Sequence, residues 1–155
     1  MSFDLIPGPY GSVIFCDDIR DEIGGKTTLV GCYTTEIVVN TDFPVTLPKF
    51  GIACRLVFDK FEGSRIADII VVMPDQTVES ASITVKVPLD AEAIVQSGLV
   101  ASDPDHPRYL FLYNLIGGPF RIQQPGMIQV FLRDQDRTIR IGVVRARKAA
   151  NDEAP

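Results

Sequence analysis

The sequence contains no tryptophan and a single histidine, His106, which sits between two prolines in SDPDHPRY. A Ser-His-Asp triad needs a histidine held rigidly between a nucleophile and an acid, and a zinc centre needs several ligands at short spacing. One loop histidine supplies neither. No G-x-S-x-G elbow occurs. The three cysteines, Cys16, Cys32 and Cys54, are odd in number, lie far apart among strand-like apolar residues, and match no zinc signature. Free buried thiols are expected, because a lone cysteine behaves as a small hydrophobe. Basic surplus is also missing: a formal charge of −5 leaves too little Lys and Arg to neutralise a phosphate backbone, which argues against nucleic acid as a partner. No apolar run reaches the roughly 20 residues of a membrane-spanning helix. The start, MSFDLIPGPYG, is broken by Asp4, Pro7, Gly8 and Pro9, so no leader pattern develops and a cytoplasmic chain is expected.

Helical periodicity is nearly absent too, and what replaces it is a succession of short β-branched segments separated by Gly, Pro, Asp and Asn. Strands are predicted near 12–16, 26–33, 35–40, 50–61, 66–73, 80–87, 108–116, 120–123, 127–133 and 137–145. The one helical stretch is DAEAIVQS, 90–97, with Asp90 as its cap. In SITVKV, Ile83, Val85 and Val87 oppose Thr84 and Lys86, and in RTIRIGV the trio Ile139, Ile141 and Val143 opposes Arg140 and Gly142. IADIIVVM is apolar on both parities apart from Asp68, as a strand covered on both faces should be. QQPGMIQVFLRDQDRTIRIGVV reads as a closing hairpin with a tight turn at Asp134 to Arg137.

Strands without intervening helices bury their apolar faces against another sheet, so the pattern predicts an all-β fold, an antiparallel two-sheet sandwich of immunoglobulin-like or C2-like type with at most one short helix. The cysteine pair and buried tryptophan of antibody domains are lacking. One domain spanning 1–155 is expected, with an N-terminal arm at 1–10 and a flexible tail at 147–155.

The segment CDDIRDEIGGKTT ends like a phosphate-binding loop, yet the first glycine of that motif would fall on Arg20 and the residues after Thr27 read as a strand. An EF-hand fails in either register, since Ile19 or Arg20 occupies the third place and Glu22 stands near the required glycine. The segment is expected to be the loop of the first hairpin, with Ile19 and Ile23 tucked beneath it and Gly24-Gly25 reversing the chain. The alternative is a calcium or other metal site built from Asp17, Asp18, Asp21 and Glu22, joined by Asp134 and Asp136 if both turns lie at one end.

A second candidate is apolar. Tyr109, Phe111 and Tyr113 share one parity of RYLFLYNL, with Leu110 and Leu112 on the other, and Phe131 falls on the outward parity of IQVFLRD. If these strands are neighbours, the four aromatics form an outer patch suited to a protein partner or to self-association; the alternative is that the aromatics fill the sandwich while the leucines pack under the 88–107 crossover. The long 88–107 connection leaves room for a cleft beneath it.

VIFCDDIRDEIGGKTTLVGCY, FPVTLPKFGIACRLVF, PFRIQQPGMIQVFLRD and IGVV together resemble a family of uncharacterised bacterial proteins of about this length. In that family a first strand ends in Asp, Gly-Lys opens the next, LPKF precedes a long strand and a Pro-Gly hairpin closes the domain. The resemblance implies a β-sandwich of unknown function and transfers no catalytic residue. The expectation that results is a non-enzymatic interaction or assembly module needing no cofactor.

Overall fold

Alternating burial along the strands organises the molecule. A computed structural model describes residues 7–97, 100–101 and 108–150. Its order is β1 (Tyr10–Cys16), β2 (Asp18–Glu22), β3 (Lys26–Val30), β4 (Glu36–Val39), β5 (Val45–Leu47), β6 (Phe50–Asp59), β7 (Ser64–Val72), β8 (Ile83–Asp90), α1 (Ala91–Gln96), β9 (Val100–Ala101), β10 (Arg108–Gly117), β11 (Phe120–Ile122), β12 (Gly126–Asp134) and β13 (Arg137–Lys148). Among the described residues the fold is all-β with one short helix, as expected. The helix begins where Asp90 accepts hydrogen bonds from the backbone amides of Glu92 and Ala93, at 2.9 and 3.2 Å.

Two larger sheets run β1-β6-β10-β9 and β4-β13-β12-β7-β8, and two ribbons, β2-β3 and β5-β11, complete the set. The arrangement departs from a purely antiparallel pair of sheets: β4 pairs with β13 in parallel. The predicted first hairpin is also replaced. β1 pairs with β6, while the segment expected to be a bare loop supplies β2, which pairs with β3 from Asp18↔Val30 to Glu22↔Lys26. The boundary expected at 147 falls inside β13, whose last residue, Lys148, stands opposite Val39.

Both larger sheets feed one core. Ile52, Cys54, Leu56 and Phe58 of β6 meet Ile69 and Val71 of β7, Ile128, Val130 and Leu132 of β12, and Val144 and Ala146 of β13. Each large side chain buried this way contributes roughly 1.5–3 kcal/mol. β7 is buried on both parities, Ile70 and Val72 included, which matches its apolar composition.

The alternation predicted for β13 fails part-way. Val130 stands opposite Gly142 but Phe131 stands opposite Arg140, so Ile141 is an extra, bulged residue. The bulge inverts the parity beyond it, and Val144 is buried while Val143 is exposed. Gly142 then lies where β1 crosses β13: a Cβ there would sit 1.6 Å from Cγ2 of Val13. Gly142→Ala is expected to cost about 1–3 kcal/mol through overpacking, read as a lower urea midpoint. An unchanged midpoint would show that β1 does not pack so closely.

Candidate functional site

The acidic segment grows from the Cys16 end of β1 as the β2-β3 ribbon. Its seat is glycine-dependent. Ile19 is buried on Gly51, where a Cβ would come within 2.8 Å of Ile19 Cγ1 and 2.9 Å of Cys16 Sγ. At the tip, Gly24 and Gly25 both take positive φ, 82° and 72°, as the reversal demands. Ile23, expected to tuck beneath the turn, is instead fully exposed at that tip.

The carboxylates have local duties. The Tyr33 hydroxyl donates to Asp17 Oδ1, and burial, reinforced by that bond, pushes the Tyr33 phenol above its ordinary range. Asp17 also leans across Gly31, whose φ of 65° and missing Cβ leave it room. Asp18 accepts from Arg20 Nε at 3.1 Å and from Lys49 Nζ at 3.2 Å, and these two bonds, Arg20 first, hold its carboxyl below the usual range. Arg20 thus pairs with the carboxylate two residues before it on the same strand. Asp21 and Glu22 stand on successive strand positions, so their side chains leave opposite faces of the ribbon. Asp17, Asp18, Asp21 and Glu22 are therefore not drawn together, and among the described residues no cluster of three His, Cys, Asp or Glu side chains has metal-holding proximity.

Asp134 and Asp136 lie at the other end of the molecule. Arg137 Nη1 donates to the Gly8 carbonyl, and the Gly8 amide donates to Asp59 Oδ2 at 2.8 Å, which fixes that turn at the Tyr10 end of β1. Seven strand residues, about 20 Å, separate it from the acidic ribbon. Asp134 is buried and accepts from Arg65 Nη2 at 2.9 Å, while the Arg65 guanidinium carbon lies 4.1 Å from the Phe61 ring centroid. Burial raises the Asp134 carboxyl, with Arg65 and Arg137 pulling it partly back.

The aromatics of β10 form no outer patch; they take the inner alternative. Tyr109 is only 2% exposed and packs with Ala91, Ile94 and Phe61. Phe111 meets Phe58 edge-on, centroids 5.6 Å apart, and Tyr113 packs on the main core. Phe131 does keep the outward parity of β12, opposite Ile70, but on the other large sheet. The aromatic parity of β10 is thus the inner one, where its bulk fills the space between the sheets.

What faces out is the leucine parity. Leu112 is 66% exposed, Ile116 50% and, on β1, Ile14 47%. The ribbon's Leu29 and Thr27 close over this face to form a groove of about 300 Å³, lined also by Ser12, Ala53 and Arg55. Sequence reasoning missed this surface, although the apolar content of both parities of β10 required one side to be out. A second hollow, about 400 Å³, lies against α1 between Phe61, Val95 and Tyr109, where the 88–107 connection was expected to leave a cleft. His106 lies outside the described residues.

The thiols are unreactive where they are buried: desolvation pushes Cys16 up to about 11 and Cys54 up to about 12. Cys32, expected to be buried, is exposed.

A model for a family of unknown function, DUF6941, matches residues 11–139. The chain belongs to that family. The DUF6941 span runs from Gly11 in β1 to Ile139 in β13, so it takes in the acidic ribbon, the outer groove and the Arg65–Asp134 pair. No curated protein matches the chain.

Two measurements check this account. Because the four ribbon carboxylates do not converge, millimolar calcium is expected to leave the melting temperature unchanged; a site filled at a hundred times its Kd would add about 2.7 kcal/mol and restore the metal reading. Arg65→Met leaves Asp134 buried without its cation and should cost about 3 kcal/mol at neutral pH. The native state holds the Asp134 proton to higher pH than the unfolded chain does, so the penalty of ionised Asp134 is complete above that raised range. The loss should therefore shrink as the pH falls through it; a pH-independent loss in urea titrations would contradict the assignment.

Proposed function

We propose that the chain is an immunoglobulin-like β-sandwich that acts as an interaction module in a reducing compartment and performs no catalysis. The order β1-β6-β10-β9 corresponds to the A-B-E-D sheet of such domains, and β13-β12-β7-β8 to G-F-C-C′. β4 adds a parallel strand beside β13, and the β2-β3 ribbon is an insertion after the first strand. Cys54 occupies β6, the strand that carries one inter-sheet cysteine in antibody domains, but β12 contributes Ile128, Val130 and Leu132 in place of its partner. Three free thiols fit a cytoplasmic setting, where disulfides are rare. No helix among the described residues is long and apolar enough to cross a membrane.

The observation that carries the reading is the outer face of the four-stranded sheet. Ile14, Leu112 and Ile116 present apolar surface in one sheet while larger aromatics of the same strand fill the core. Apolar side chains grouped on a sheet face are retained at a cost in solubility, and contact with another protein surface offsets it. Raised thiol pKa values at Cys16 and Cys54, and ribbon acids engaged by Tyr33, Arg20 and Lys49, support a scaffold over a reactive centre.

The test compares wild type with the double variant Ile14→Lys, Leu112→Lys by light scattering and by paired capture from a lysate of the native host. Both positions are exposed, so the variant should fold and melt like wild type while losing at least tenfold in affinity for whatever the wild type holds. Identical association of the two proteins would contradict the reading.

A further inference from the structure

The two strands that bound the same side of the sheets, β8 and β10, end very differently. β8 is an edge strand that carries Lys86 and Pro88, two devices that discourage a further strand from adding. β10 has neither. On one side it is paired with β6 along all ten residues, from Arg108↔Asp59 to Gly117↔Phe50. On the other, β9 covers only Arg108 and Tyr109. From Leu110 to Gly117 no described residue hydrogen-bonds to that side, and the stretch LFLYNLIG holds no charge and no proline. Beside this edge, between β10 and β8, opens an apolar slot of about 200 Å³ lined by Ile52, Val71, Ile83, Val85, Leu115 and Phe120.

Resting on the interaction-module reading, we propose that this edge takes β10 of a second copy of the chain, paired antiparallel across a two-fold axis at Asn114. The strand is complementary to itself in that register. Asn114 meets Asn114, amide to amide; Leu112 meets Ile116 on the outer face; Tyr113 meets Leu115 on the inner one. The paired segment, Phe111 to Gly117, fits within the part that β9 leaves uncovered. The paired segment contains no charged residue, whereas β8 carries Lys86 and Asp90 and β13 carries Arg140, Arg145 and Arg147. Pairing covers Leu112 and Ile116, the most exposed apolar residues of the strand, and lays the second copy's strand across the mouth of the slot. Backbone hydrogen bonds give such strand addition its affinity and the side-chain register its selectivity. A single strand pair buries less than a standard interface, so the dimer is concentration-dependent.

Sedimentation equilibrium of the full chain, from micromolar to millimolar, tests the proposal. Wild type is expected to pass from monomer to dimer. Asn114→Lys, an exposed position, should keep the wild-type melting temperature yet weaken the dimer at least tenfold by opposing two lysines at the axis. Mixing Asn114→Lys with Asn114→Asp should restore a dimer, as a heterodimer. A wild type that stays monomeric at millimolar concentration, or an Asn114→Lys variant that dimerises unchanged, overturns the proposal. Dissociation by Ile14→Lys but not by Asn114→Lys would do the same while leaving the interaction-module reading standing.

Discussion

A pleated strand sends alternate side chains to opposite faces, and β10 is apolar on both. Its register with β6 therefore decides which set the core receives. With Tyr109, Phe111 and Tyr113 inward, opposite Phe58, Leu56 and Cys54, the aromatic bulk fills the space between the sheets. The smaller set, Leu112 and Ile116 with Asn114 between them, is then committed to the outside. The outer groove, the uncharged edge and the slot beside it all follow from that one partition.

Strand content was largely legible because turns are marked by Gly, Pro and Asp, and because β-branched runs announce themselves locally. The Asp90 cap and the closing hairpin were equally local, and both are in place. Pairing was less legible. β2 hides behind acidic residues, although Ile19 opposite Leu29 and the Gly24-Gly25 reversal form a hairpin pattern of their own. The bulge at Ile141 left no local mark; it lies beside Gly142, where β1 packs closely against β13. Nor does alternation alone say which parity of β10 is inner; that depends on the volume β6, β7 and β12 leave to be filled.

The acidic ribbon illustrates how a conspicuous motif can be architectural. Asp17 ties Tyr33 and the Gly31 turn to the base of β1, and Asp18 draws Lys49 toward the start of β6. Exposed charge pairs of this kind contribute little stability, but they orient a ribbon whose only deeply buried anchor is Ile19. The ribbon then shapes one wall of the groove, leaving Leu29 over Ile14 and Leu112. The chain's acidic ribbon thus concentrates its distinctive surface on the β1-β6-β10-β9 sheet.

The inner and outer parities of β10 can be measured directly by thiol labelling. In a Cys32→Ser background, where the remaining Cys16 and Cys54 are buried and protonated, single cysteines are placed along the strand and timed against a small maleimide at low protein concentration. The account predicts fast labelling at positions 112, 114 and 116 and slow labelling at 111, 113 and 115. The opposite alternation, or equal rates at all six, would contradict it.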